Sequence, residues 1–350
     1  MLEQIRSCLN KAVEEKVFPG CVLAVEVSGK QHLICAGNYT YQSDSPEMTA
    51  DSVFDCASIT KAIPTSSLAL KMVDQGLISL DEQMIKFIPE YRGNYRDQIT
   101  IAHLLTQTLN SDLRLSALKN STAQQILDAI FSQHLKTPPG KSFCYTNSTS
   151  ILLGIVVERV WGKGLHELAA EQFFEPLEMK NTTFFPEKLK KERIVPTEID
   201  PWRGRVIQGE IHDESAWILR SLFTAGSAGL FSTAPDLLKF CKMLLNGGNY
   251  GTKHFFSHEM VGKMHIDQLP HIDGIATGLG WELDQEYMGS LRSRNTIGKT
   301  GFTGTVVICD TTKQCALVLL SNYTWPKRKA DRSKIHSIRS QIADYVFKMA

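Results

Sequence analysis

Phe54-Asp55-Cys56-Ala57-Ser58-Ile59-Thr60-Lys61 is the stretch from which the rest of the chain can be read. It lies between an extended segment and an apolar-periodic run, Ile63 to Leu77, that reads as a helix closed by Gly76. A serine and a lysine three apart at the head of a helix share one face, so the amine can reach the hydroxyl. The helix start also offers unpaired N–H groups and the positive end of the dipole, which favour negative charge on the serine oxygen. A free hydroxyl is too weakly acidic to attack at neutral pH, so these are the conditions a serine nucleophile needs. The plainer alternative is a capping serine beside a solvated lysine. Ser-x-x-Lys also recurs at Ser116-Ala117-Leu118-Lys119, so the company each copy keeps has to decide.

The 350 residues can bury a sizeable core, and 43% hydrophobic with 21% charged residues is the composition of a globular chain. A net charge of +1 gives no reason to expect nucleic acid or an anionic membrane as partner. Lys327-Arg328-Lys329 is short, is followed by Asp331, and reads as a solvated face. No apolar run approaches membrane-spanning length. The N-terminus lacks a signal-peptide pattern and instead shows Leu2, Ile5, Leu9 and Val13 at helical spacing. The expectation is a cytoplasmic protein, unless a leader has been removed. Eight scattered cysteines without a Cys-x-x-Cys pair disfavour a zinc framework and assign no disulfide.

Along the chain, Cys21 to Val27 and Gln31 to Ala36 flank a Ser28-Gly29 turn and predict a hairpin. Short helices are expected from Leu80, from Thr100, over Ala123–Phe131, over Ser148–Trp161 and over Leu165–Phe174, then Asp236–Leu245 with Pro235 in its first turn. Pro186 to Arg205 reads as an irregular surface excursion. Thr305–Cys309 and Cys315–Ser321 predict a second hairpin, and Ser333–Met349 a closing helix. The simplest packing is an α/β (α+β) fold in which both hairpins share one antiparallel sheet, covered by the N- and C-terminal helices. The chain is then one domain, residues 1–350, of two lobes. A sheet lobe takes 1–57 and 275–350, and a mainly helical lobe takes 58–274. A cleft between lobes is the natural place for a site.

Two further stretches carry chemistry. Tyr145-Thr146-Asn147 lies between the Pro138-Pro139-Gly140 loop and the Ser148 helix. A lysine ammonium near Tyr145 would favour its phenolate, which can take a proton from a serine or return one to a leaving group. Asn147 offers a donor and an acceptor, for a substrate amide or for Lys61. In Lys299-Thr300-Gly301 the glycine lets a ligand approach a sheet-edge strand, while Lys299 and Thr300 can hold a substrate carboxylate. The N–H of Phe302 can pair with that of Ser58 as an oxyanion hole.

In this order the three stretches resemble the serine β-lactamase, penicillin-binding protein and related esterase superfamily. Its Ser-x-x-Lys, Tyr-x-Asn and Lys-Thr-Gly motifs match Ser58/Lys61, Tyr145/Asn147 and Lys299/Thr300/Gly301. The tyrosine in the second motif is similar to class C enzymes and their D-peptidase and family VIII-type esterase relatives. Phe18-Pro19-Gly20, Thr100 to Leu105, Ala228 to Ala234, Gly278 to Trp281 and Gly301 to Thr305 also resemble recurring segments of that family. The Ser116 copy has no such setting. Gln107-Thr108-Leu109-Asn110-Ser111 departs from the family's threonine/serine-glycine-leucine stretch, which points to a different cleft wall.

The resemblance implies acyl transfer to water through a Ser58 acyl-enzyme. Lys61 and Tyr145 would move the proton, and Asn147, Lys299, Thr300, Gly301 and Phe302 would hold the substrate. That substrate would be a small ester, a β-lactam or a short D-amino-acid peptide, with no metal or organic cofactor; Lys299 leans the choice towards anionic substrates. Two rivals belong to other classes. One is a catalytically idle binding or assembly member of the same fold. The other is a metal-dependent hydrolase using His212, Asp213 and His103 or His265, although three adjacent side chains, His212-Asp213-Glu214, do not converge on one ion.

Overall fold

The computed structural model describes all 350 residues. Helix α1 (Leu2–Glu14) buries Ile5, Leu9 and Ala12 along one face. Strands β1 (Gly20–Val27) and β2 (Lys30–Gly37) form the expected hairpin, in register from Gly20 opposite Gly37 to Val27 opposite Lys30. Strand β3 (Phe54–Asp55) delivers the chain to Ser58, which sits in a turn.

The helix after Ser58 differs from expectation. It opens at Ile59, passes through wide turns over Lys61–Ser66, and becomes regular only as α2 (Ser67–Asp74). Pro64 has no N–H to donate and its ring crowds the preceding turn, and Ile63 leaves helical geometry at φ −116°, ψ 107°. The segment after Leu80 is also a correction, because the only helical turn there is Met84–Lys86.

The central helices follow as α3 (Ile101–Leu105), α4 (Ala123–Phe131), α5 (Asn147–Trp161) and α6 (Leu165–Ala169), the last running on in wide turns to Phe174. Thr100, Thr122 and Thr146 cap α3, α4 and α5, each hydroxyl accepting a first-turn N–H. The stretch Pro186–Arg205 is more ordered than its polarity suggested. It enters a hairpin of β4 (Glu198–Asp200) and β5 (Arg205–Ile207), and buries Ile194, Val195 and Glu198.

Helix α7 (Glu214–Leu219) precedes β6 (Phe231–Ser232), which pairs with β3, and α8 (Ala234–Leu245). The small hairpin β7 (Asn249–Tyr250) and β8 (Lys253–His254) leads to α9 (His258–Met264). Strands β9 (Glu282–Leu283), β10 (Thr296–Thr300), β11 (Val306–Asp310) and β12 (Cys315–Ser321) and helix α10 (Ser333–Phe347) complete the chain.

The main sheet is antiparallel, in the order β2-β1-β12-β11-β10-β9. Helices α1 and α10 pack together on one face over a core of Ile5, Leu9, Leu23, Leu319, Ile342 and their neighbours. The other face is covered by α8, and its core runs on without a break among the central helices, from Val22 and Val318 through Phe240 to Leu104 and Leu152. Cover on both faces explains why every residue of β1 is buried. No helix is long and apolar enough to cross a membrane.

Candidate active site

The nucleophile candidate is presented by a braced turn. Asp55 is buried and accepts the Ala57 N–H at one carboxylate oxygen (2.8 Å) and the His212 N–H at the other (2.7 Å). Ala57 is thereby held at φ +46°, a conformation unusual for a residue with a Cβ. Thr60 Oγ1 donates to the Ala57 carbonyl (2.6 Å) and accepts from the Leu230 N–H (3.2 Å), tying the turn to the chain before β6. Burial pushes the Asp55 carboxyl above its ordinary range, partly offset by the two main-chain donors.

Lys61 is buried, and its Nζ lies 3.1 Å from Ser58 Oγ, 2.8 Å from Asn147 Oδ1 and 2.8 Å from the Ser227 carbonyl. Those three acceptors use all three protons of an ammonium. Burial lowers the lysine below its ordinary value and Lys299 adds to this, with Tyr145 and Asp213 opposing. Asn147 Nδ2 donates to Asp213 Oδ2 (2.9 Å), so this amide serves Lys61 and Asp213 and has both ends taken. Asp213 in turn caps α7, its Oδ1 accepting from the Ala216 N–H and from Ser215 Oγ.

Tyr145 enters between two cations. Its ring centroid is 4.5 Å from Lys299 Nζ and 5.1 Å from Lys61 Nζ, and the residue is 43% exposed. Burial of the hydroxyl end raises its pKa, but Lys299 and then Lys61 outweigh this and leave the phenol below its ordinary value. The Tyr145 segment is pinned by Gln107 in the divergent loop. The Gln107 side chain accepts from the Thr146 N–H (3.1 Å) and donates to Ser150 Oγ (2.9 Å), and its carbonyl accepts from the Cys144 N–H (2.8 Å).

The third stretch is the end of β10. That strand pairs with β9 only at Ile297 and Gly298, so Lys299 and Thr300 form a free edge on that side. Gly301 is obligatory: a Cβ there would stand 2.0 Å from Thr305 Oγ1 and 2.5 Å from the Cys56 carbonyl. This close approach lays the Lys-Thr-Gly segment against the Ser58 turn. The N–H groups of Ser58 and Phe302 donate to no protein acceptor. A cleft of about 410 Å³ is lined by Ser58, Tyr145, Thr300, Gly301, Phe302 and Glu282, among others. A larger open groove of about 790 Å³, lined by Trp202 and Trp217 among others, contains none of the predicted site residues.

All eight predicted residues therefore gather at one place. Lys299 does so with a partner that sequence reasoning missed: Glu282 Oε1 lies 2.6 Å from Lys299 Nζ, and Glu282 Oε2 accepts from the Tyr287 hydroxyl (2.7 Å). Asp55, Gln107 and Ser227 were missed as well. Asp55 acts on main-chain groups, Gln107 on main-chain groups and the Ser150 hydroxyl, and Ser227 through its own carbonyl, none of which marks a motif in the sequence.

The triplet His212-Asp213-Glu214 diverges. His212 Nε2 meets Glu198 (2.8 Å) while its ring stacks on Phe302, Asp213 meets Asn147, and Glu214 meets Arg328 (2.7 Å). His103 closes the capping box of α3, and His265 is half-buried at the end of α9.

Residues 5–339 match the model of the Beta-lactamase family, and the chain belongs to that family. It is 29% identical over 306 residues to a protein of Escherichia coli (strain K12) named "Putative D-alanyl-D-alanine carboxypeptidase", covering 78% of this chain and 70% of the relative. Among solved structures, simvastatin synthase from Aspergillus terreus superposes with a TM-score of 0.78 at 18% identity, covering 99% of this chain and 98% of that one. EstCE1, described as a hydrolase with promiscuous acyltransferase activity, gives a TM-score of 0.76 at 18% identity with the same coverage.

Proposed function

We propose that the chain is a serine hydrolase that cleaves an ester or amide through an acyl-enzyme on Ser58. The observation that carries this reading is the environment of Lys61 Nζ. If the amine is neutral, its two protons go to Asn147 Oδ1 and the Ser227 carbonyl, and its lone pair is left facing Ser58 Oγ at 3.1 Å. If Lys61 is instead an ammonium, Tyr145, held between it and Lys299, is the group able to take that proton.

In this mechanism Ser58 Oγ attacks the carbonyl carbon, and its proton passes to the Lys61/Tyr145 pair. The Ser58 and Phe302 N–H groups receive the oxyanion. The carbon–heteroatom bond breaks as the pair returns the proton to the leaving group. A water, deprotonated by the same pair, then attacks the acyl carbon; the bond to Ser58 Oγ breaks, the pair returns the proton to Oγ, and the acid leaves. No cofactor is required. Among acyl compounds, a short peptide ending in D-amino acids is supported by the names of the E. coli relatives, and a carboxylic ester by the likeness to EstCE1.

Ser58→Ala is expected to abolish hydrolysis of 4-nitrophenyl esters and labelling by a fluorophosphonate probe. Unchanged turnover in that variant would remove Ser58 from the chemistry. A wild-type chain that the probe does not label would instead favour an idle binding protein.

A further inference from the structure

We propose that Glu282 sets the charge preference of the cleft: by occupying Lys299 it turns the Lys-Thr-Gly edge away from substrate carboxylates and towards neutral esters and amides. This rests on the hydrolase reading above and reverses the expectation drawn from Lys299 alone. The Lys299 ammonium is buried, and Glu282 Oε1 already holds it at 2.6 Å. Glu282 is itself fixed twice more. Its main chain pairs with Gly298 in the sheet, and its second oxygen accepts from Tyr287, which also lines the cleft. The side chain remains 22% exposed on the cleft wall. An incoming carboxylate at this edge would therefore meet a fixed carboxylate, and like charges brought together are disfavoured. Arg332, which also lines the cleft, donates from Nη2 to the Phe302 carbonyl (3.1 Å) and lies over the Phe302 ring.

Glu282 also faces the proton-transfer machinery. The groups around it and Tyr145 are Lys61 on the Ser58 helix, Lys299 on β10, Tyr287 before β10, and Arg332, His336 and Arg339 on or at the start of α10. Among them Glu282 is the carboxylate that opposes Tyr145 ionisation.

The test compares wild type with Glu282→Gln and Glu282→Asp on two matched pairs. One is N-acetyl-D-alanyl-D-alanine and its C-terminal amide; the other is 4-nitrophenyl hydrogen succinate and 4-nitrophenyl methyl succinate. The readout is the carboxylate-to-neutral ratio of kcat/KM, or of protection against fluorophosphonate labelling of Ser58 for a compound that is not turned over. The wild type should favour the neutral member, Glu282→Gln should raise the ratio about ten-fold or more, and Glu282→Asp should keep the wild-type preference. In Glu282→Gln the acid limb of the pH profile should also move to lower pH, a change that a merely structural role would not produce. An unchanged ratio with Ser58 still labelled overturns this assignment alone. Absence of Ser58 labelling in the wild type overturns the hydrolase reading and this inference together.

Discussion

At the scale of single residues, the site is a contest between burial and charge. Burial disfavours the Lys61 ammonium and the Tyr145 phenolate alike, and each partly stabilises the other's charged form. Their titration belongs to the pair. Both lie below the ordinary lysine and tyrosine values, so kcat/KM should rise with pH along an acid limb below about pH 10. Lys299 is the strongest charge favouring the phenolate. Lys299→Met should therefore raise the tyrosine's pKa, carry that limb to higher pH, and lower kcat/KM at neutral pH roughly 10- to 100-fold. A pH profile that keeps its position would exclude Tyr145 as the group being read. The meeting of Ser58, Lys61, Tyr145, Asn147 and Lys299 was legible because these residues stand in motifs of fixed spacing. Glu282 was not, because an acidic residue after a tryptophan has no signature until β9 sets it beside β10.

At the scale of elements, the site depends on where helices begin. Thr146 starts α5, leaving Tyr145 just outside the helix and Asn147 just inside. Asp213 starts α7 with one carboxylate oxygen and orients Asn147 with the other. Asp213→Ala should cost about 1 kcal/mol of stability through the lost cap. It should also lower kcat about ten-fold, because the freed amide no longer presents its oxygen steadily to Lys61. Thermal melts and ester kinetics on the same preparation check both. A lowered melting temperature with unaltered kcat would mean that Asn147 is oriented without Asp213. Most helices and both hairpins could be read from periodicity and turn chemistry. The Ser58 helix could not, since Pro64 breaks a pattern whose apolar spacing remains regular. The β4–β5 hairpin was hidden because its buried partners Glu198, Asp200 and Arg203 are polar and paired.

At the scale of the whole molecule, the division at residues 58 and 275 is proposed as two lobes of one cooperative unit. The core that backs the sheet continues into the helical lobe, and α8, from the middle of the chain, packs on β1, β11 and β12. Unfolding should therefore be a single transition, with far-UV circular dichroism and tryptophan fluorescence coinciding. Two separated steps would show lobes that fold independently. The placement of both hairpins in one sheet was legible from their position at the two ends of the chain. The role of α8 was not, because an amphipathic stripe does not say which surface it will meet.

The sheet's order has a consequence in time. β1 finds β2 within a few residues, but its other neighbour is β12, with Cys21 lying opposite Ser321. For most of elongation a ribosome thus carries a half-finished sheet whose apolar strand has one flank bare, and such a flank invites pairing with other chains. The nascent form stalled just short of β12 is the one a chaperone would have most reason to hold.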